Sequence, residues 1–334
     1  MYTLCASLFL LINFAISHEV IEPLSCRALS QPYAPFYDHC ENFLYFSEFA
    51  GFVHRYDFNE KRLYTASTGN ISTTFIIPVI NCKHRFIIGN GLDVILMEWN
   101  GKSSTIRLIR AAFRVHNAHK YSKTVWSLAR ISPTFQFYAG TFCETICGDT
   151  DSENAALFQY IKPNHVTRRI KHFKLAGDFE WNIEERLMYV INSCCRTLLE
   201  FQWNPETGAL CHGRIVYEFK NNGNAAVIPL GLTIDTEGCV YVGMYNGGEI
   251  KKINPKTGKC VKTFKMPATA ISALSFGGPK NDILFVTSQS HKFNITNGGL
   301  CARDDHGPSD GLIFMVKDVN AKGVERRKMY LDSC

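Results

Sequence analysis

The chain has 334 residues, 46% hydrophobic, 13% aromatic and 20% charged, with a net charge of +6. That composition is too apolar and too aromatic for a disordered chain. The mild positive excess over this length points to no polyanionic partner, so no nucleic-acid role is expected.

The first segment, Met1 to Ser17, carries no charged side chain and contains an apolar run from Leu4 to Ala15. Ala15 and Ser17 put small residues at −3 and −1 of a cut before His18, the pattern of a signal peptide. The run is shorter than the roughly 20 residues a membrane span needs. A leader over residues 1–17 and one secreted domain over 18–334, free of the membrane after cleavage and monomeric, is the expectation; a retained anchor is the alternative. Removing Cys5 with the leader leaves twelve of thirteen cysteines, which in an oxidising compartment allows up to six disulfides. Asn70-Ile71-Ser72 and Asn294-Ile295-Thr296 are glycosylation sequons, making Asn70 and Asn294 the candidate sites.

Beyond the leader the chain repeats. Strand-like segments recur around Tyr45, Ile87, Tyr138, Tyr189, Tyr241 and Phe285, at steps of 42 to 52 residues. A returning strand follows each in phase, beginning near His54, Met97, Phe158, Glu200, Lys251 and Phe314. The pattern is clearest from Ile228 to Gly258. There Val240, Val242 and Met244 alternate with their neighbours, Asn246-Gly247-Gly248 supplies a turn, and Asn254-Pro255-Lys256-Thr257-Gly258 supplies the next. Two strands cannot bury a face alone. Six copies of about 40 to 50 residues match four-stranded antiparallel blades, and the expected fold is an all-β, six-bladed β-propeller. A two-sheet protein of unrelated hairpins is the alternative.

Common catalytic patterns are absent: there is no Gly-x-Ser-x-Gly elbow and no Walker loop, and His18-Glu19-Val20-Ile21-Glu22 fails as a zinc motif. Gly277-Gly278-Pro279-Lys280 reads as a turn and Asp304-Asp305-His306 as a solvated loop. Cys143, Cys147 and the pair Cys194-Cys195 lack the paired spacing of a zinc site and read as bridged or buried. The basic clusters Arg168-Arg169-Ile170-Lys171 and Arg326-Arg327-Lys328 read as solvated strand edges.

The stretch with Ile234-Asp235-Thr236-Glu237-Gly238, Tyr245-Asn246-Gly247-Gly248 and Asn254-Pro255-Lys256-Thr257-Gly258 closely resembles the regucalcin, gluconolactonase and luciferin-regenerating-enzyme family. Phe276-Gly277-Gly278, Tyr138-Ala139-Gly140-Thr141 and His54-Arg55-Tyr56-Asp57 extend the likeness from about Leu29 to Val319. The resemblance implies a six-bladed propeller with one divalent cation, usually calcium, at the channel mouth, and in many members hydrolysis of sugar lactones. It implies four ligands from separate blades: a Glu, two Asn and an Asp. A hard cation needs such oxygens and negative charge, and can then polarise a carbonyl or a bound water.

Carried over residue by residue, those positions hold Tyr33, Ser127, Gly177 and Leu230. No catalytic residue, metal or cofactor is therefore expected. Asp178 and Glu180 are the alternative place for a relocated Ca2+ or other divalent ion. Two functions follow. One is a secreted, catalytically degenerate propeller whose mouth, lined by Tyr33, Phe36, Tyr37, Trp126 and Leu230, binds a small hydrophobic or aromatic molecule or a protein; the same residues could equally be inert core filling a plugged mouth. The other is a metal-dependent lactone hydrolase with rearranged ligands.

Overall fold

The computed structural model describes residues 19–24, 26–69, 72–114, 124–143, 155–162, 165–173, 176–220, 226–290 and 307–332. The leader, both sequon asparagines, Asn70 and Asn294, and the Asp304-Asp305-His306 stretch lie outside them. Among the described residues there are six antiparallel four-stranded sheets and no helix, as the repeat spacing predicts.

Blades 1 to 6 have inner strands Pro32–Asp38, Thr73–Pro78, Thr124–Ile131, Ala176–Asn182, Ile228–Ile234 and Ile271–Gly277. Each touches the inner strands of its two neighbours, so the six close a ring around an axis. Sandwiched between blades, the inner strands of blades 1, 2, 5 and 6 are buried at every position. Outer strands such as Lys259–Lys265 alternate exposed and covered residues because one face meets water.

Blades 1 to 5 are contiguous in sequence, but blade 6 is not. Its outer strand is Val20–Pro23, paired antiparallel with Ile313–Lys317, so Val20 faces Lys317 and Pro23 faces Phe314. The chain's two ends thus lock the ring, which the repeat pattern did not indicate because it read only the second and third strand of each blade.

Three turns share one device. The Asn254 carboxamide oxygen accepts from the N–H groups of Lys256 and Thr257, Asn204 does the same for Glu206 and Thr207, and Asn100 for Lys102 and Ser103. Gly258 and Gly208 follow at φ 63° and 68°, a conformation that penalises any Cβ.

Blade 1 also holds a buried polar chain. Glu48 accepts from the backbone N–H of Ser30 (2.7 Å) and Gln31 (3.2 Å) and lies 3.1 Å from His54 Nε2, while His54 Nδ1 lies 3.0 Å from the Thr65 hydroxyl. Burial holds His54 below the usual imidazole range. Burial pushes Glu48 up, but the hydrogen bonds from His54, Gln31 and Ser30 outweigh it and keep the carboxyl below its usual range. With both folded values depressed, the network stabilises fully above the unfolded imidazole value of roughly 6.5 and loses that contribution as pH falls below it. The melting temperature is expected to fall between pH 7 and 5. His54→Gln should flatten that slope, and an unchanged slope in the variant would place the acid sensitivity elsewhere.

Candidate functional site at the propeller axis

Every inner strand carries a register break against its neighbour at the same height. The breaks fall between Tyr33 and Phe36, Thr73 and Ile76, Trp126 and Leu128, Ala176 and Phe179, Pro229 and Leu232, and Ile271 and Ala273. A bulge re-aims side chains. Tyr33, Ser127, Gly177 and Leu230 all sit at these breaks, on four different blades, so the fold brings together the four positions singled out by the resemblance.

They do not form a cation cage. Tyr33 and Leu230 are 2% and 5% exposed and belong to one contiguous buried apolar cluster. Burial pushes the Tyr33 phenol well above its usual range, and the nearby Asp178 carboxylate adds to this. Gly177 leaves no room for a ligand side chain, since a Cβ there would lie 2.5 Å from Ser193 Oγ and 3.0 Å from the Leu230 carbonyl oxygen. A neutral phenol and a hydroxyl are the only side-chain oxygens at these four positions, with no carboxylate, and a divalent cation does not fit them.

The other candidate ligand residues separate. Phe36 lies further along the axis, lining a cavity of about 70 Å³ beside Arg130 and Arg326. Tyr37 is wedged between blades 1 and 6, stacked on Phe285 at 5.6 Å with its hydroxyl donated to Asn42. Trp126 is 1% exposed and packs edge-on against Phe158. Trp126 and Phe36 belong to the same buried apolar cluster as Tyr33 and Leu230, whereas Tyr37 belongs to a separate one.

Asp178 and Glu180, two residues apart on the inner strand of blade 4, share a face because strand side chains alternate. Asp178, 1% exposed, accepts from Arg130 Nη2 at 2.9 Å, from the Leu232 N–H at 3.0 Å and from the Phe179 N–H at 2.8 Å. Burial pushes its carboxyl upward, opposed by Arg130 and Arg326. Glu180 accepts from Arg326 Nε at 2.8 Å and lies 3.4 Å from Arg130 Nε. Two carboxylates face two guanidinium groups, so the cluster is already neutral and a divalent ion would be held without compensating charge. Among the described residues no group of three His, Cys, Asp or Glu side chains converges as a metal site.

Arg326 corrects the sequence reading of Arg326-Arg327-Lys328 as a solvated strand edge. Residues 319–332 cross the lower mouth, where the inner strands end. Val324 N–H bonds the Ile234 carbonyl in blade 5, Met329 N–H bonds the Pro78 carbonyl in blade 2, and Arg326 hangs into the axis between them. Lys328 pairs with Asp38 at 2.7 Å and Arg327 lies over the Phe135 ring. Arg130 was missed as well, although the lone charged residue in the inner strand Thr124–Ile131 is a visible signal. Arg326 had none, because it lies in no repeat.

Cys82 and Cys194 are disulfide-bonded, and Cys26, Cys40, Cys195, Cys211, Cys239 and Cys260 are free; Cys195, free and exposed, corrects its reading as bridged or buried. Off the axis, a cleft of about 430 Å³ opens between blades 2 and 3 and the tail, where Phe135 and Tyr330 stand exposed, and another of about 320 Å³ opens beside Asp38 and Arg55.

A family model described as "SMP-30/Gluconolactonase/LRE-like region" matches residues 32–290. Regucalcin of Danio rerio is 30% identical over 240 residues, 72% of this chain and 75% of that protein. Regucalcin of Homo sapiens is 24% identical over 323 residues, 93% and 97% of the two chains. Among solved structures, a luciferin-regenerating enzyme superposes with a TM-score of 0.82 at 22% identity, covering 94% of this chain and all of that one. A calcium-binding regucalcin from Agrobacterium tumefaciens gives 0.73 at 13% identity, covering 92% and 96%; at these identities the likeness of both structures is one of fold.

Proposed function

From the premise that this chain belongs to the SMP-30/gluconolactonase/LRE-like family, we propose that it is a secreted member that has lost lactone hydrolysis and acts as a binding module. The observation that carries this reading is the pairing of the axial carboxylates Asp178 and Glu180 with Arg130 and Arg326. A metal-assisted hydrolase needs a Lewis acid and a carboxylate free to move a proton. Here both carboxylates are engaged by cations from the chain itself, and the four positions above them offer no anionic oxygen.

Secretion is supported by the leader-like segment Met1 to Ser17, the sequons at Asn70 and Asn294, and two disulfide-bonded cysteines. The binding role is supported by the cleft of about 430 Å³, whose exposed Phe135 and Tyr330 suit an apolar or aromatic small molecule. The test is calorimetric titration of the intact protein with Ca2+, Mn2+ and Zn2+, together with a pH-stat assay on gluconolactone. Silence in both is expected. Micromolar metal binding with turnover would instead support a hydrolase using relocated ligands.

A further inference from the structure

Arg326 makes four hydrogen bonds, and each acceptor belongs to an inner strand. Its Nε donates to Glu180 of blade 4 at 2.8 Å, and Nη1 donates to the Pro35 carbonyl of blade 1 at 2.8 Å. Nη2 donates to the Leu232 carbonyl of blade 5 at 3.2 Å and to the Leu274 carbonyl of blade 6 at 2.8 Å. One carboxylate and three neutral carbonyls from four blades thus converge on one cation, whose side chain is 6% exposed. Backbone carbonyls facing the axis have no strand partner there, and leaving them buried without a donor is costly.

We propose that the lower axis is a guanidinium-binding site, which the chain fills with its own Arg326. The chemistry of the donor set selects that ligand class. A guanidinium presents five N–H donors in a fixed fork and reaches several separated acceptors at once. A primary ammonium has three donors on one atom and does not span them. A calcium ion wants six to eight oxygens, and any divalent ion meets the charge of Arg130, 3.4 Å from the same Glu180 oxygen. The cation comes from outside the family-matched region 32–290, on a strap tied to blades 5 and 2, which stand opposite each other in the ring. The cage lies about two residues, roughly 7 Å, beyond the Tyr33–Leu230 level, so lactone turnover bears on neither outcome below.

The test is the full-length Arg326→Ala chain in thermal unfolding, with methylguanidinium or methylammonium at matched ionic strength. The substitution is expected to lower the melting temperature by roughly 10 °C. Methylguanidinium should recover a substantial part of that loss, methylammonium little, and the wild-type chain should respond to neither. Adding Glu180→Gln should weaken the rescue by methylguanidinium, because the site then lacks its one anionic acceptor. If Arg326→Ala does not fold on expression, its refolding yield from urea in the two salts is the same comparison. Equal rescue by both salts, no rescue by either, or methylguanidinium rescue undiminished by Glu180→Gln would overturn the proposal.

Discussion

Asp178→Ala is expected to lower the unfolding free energy by about 3–5 kcal/mol, the range for removing one partner of a buried ion pair. Asp178 is 1% exposed and Arg130 is nearly as deeply buried. Truncation leaves the Arg130 guanidinium with Glu180 alone, which it already shares with Arg326. It also orphans the N–H groups of Leu232 and Phe179, both of which donate to Asp178. Asp178→Asn keeps an acceptor for those groups but loses the charge, and should fall between wild type and Ala. The double variant Asp178→Ala/Arg130→Met should be less destabilised than the sum of its parts, because a buried pair replaced by apolar groups is often near neutral. Urea unfolding followed by circular dichroism gives all of these values. An Asp178→Ala chain within about 0.5 kcal/mol of wild type, the range of inconsequential surface changes, would mean the pair is not buried as described.

The second large effect is expected at Gly231, in the inner strand of blade 5. A Cβ there would lie 2.6 Å from Ala273 Cα, 3.0 Å from its carbonyl carbon and 3.1 Å from Leu274 N. All three atoms are backbone of blade 6, so no rotamer change relieves the contact and the two inner strands must move apart. Gly231→Ala should destabilise by about 2–3 kcal/mol, the upper part of the usual range for overpacking. Displacing Leu274 would also disturb the carbonyl that holds Arg326. Gly213 provides the contrast. Its hypothetical Cβ meets only the Phe201 ring, nearest at 2.4 Å on an outer strand, and a ring can rotate away. Gly213→Ala should therefore fall well below Gly231→Ala. Equal losses at the two sites would show that the axial strands have slack that the geometry denies.

Part of the site was readable before any coordinates. Tyr33, Ser127, Gly177 and Leu230 were located by counting from neighbouring motifs, and all four lie at bulges of equal height. The count works because side-chain direction in a strand depends only on local register. Trp126 shares the buried cluster of Tyr33 and Leu230, but Tyr37, read with them from sequence, packs between blades 1 and 6 on Phe285. No rule of alternation fixes direction across a bulge.

What the sequence determined by itself is the architecture: six repeats at steps of 42 to 52 residues, each a sheet unable to bury its faces except against its neighbours. It also determined that four separate positions carry no carboxylate. Only the tertiary structure decided what neutralises Asp178 and Glu180. Arg130 is 48 residues from its partner Asp178, and Arg326 is 146 residues from Glu180. Contacts that distant leave no local pattern, since they are fixed by ring closure and by the path of a non-repeating tail. The same cluster of basic residues that satisfies a solvated edge at one end of a chain can enter a channel at the other, because the guanidinium's surroundings, and not its type, set its role.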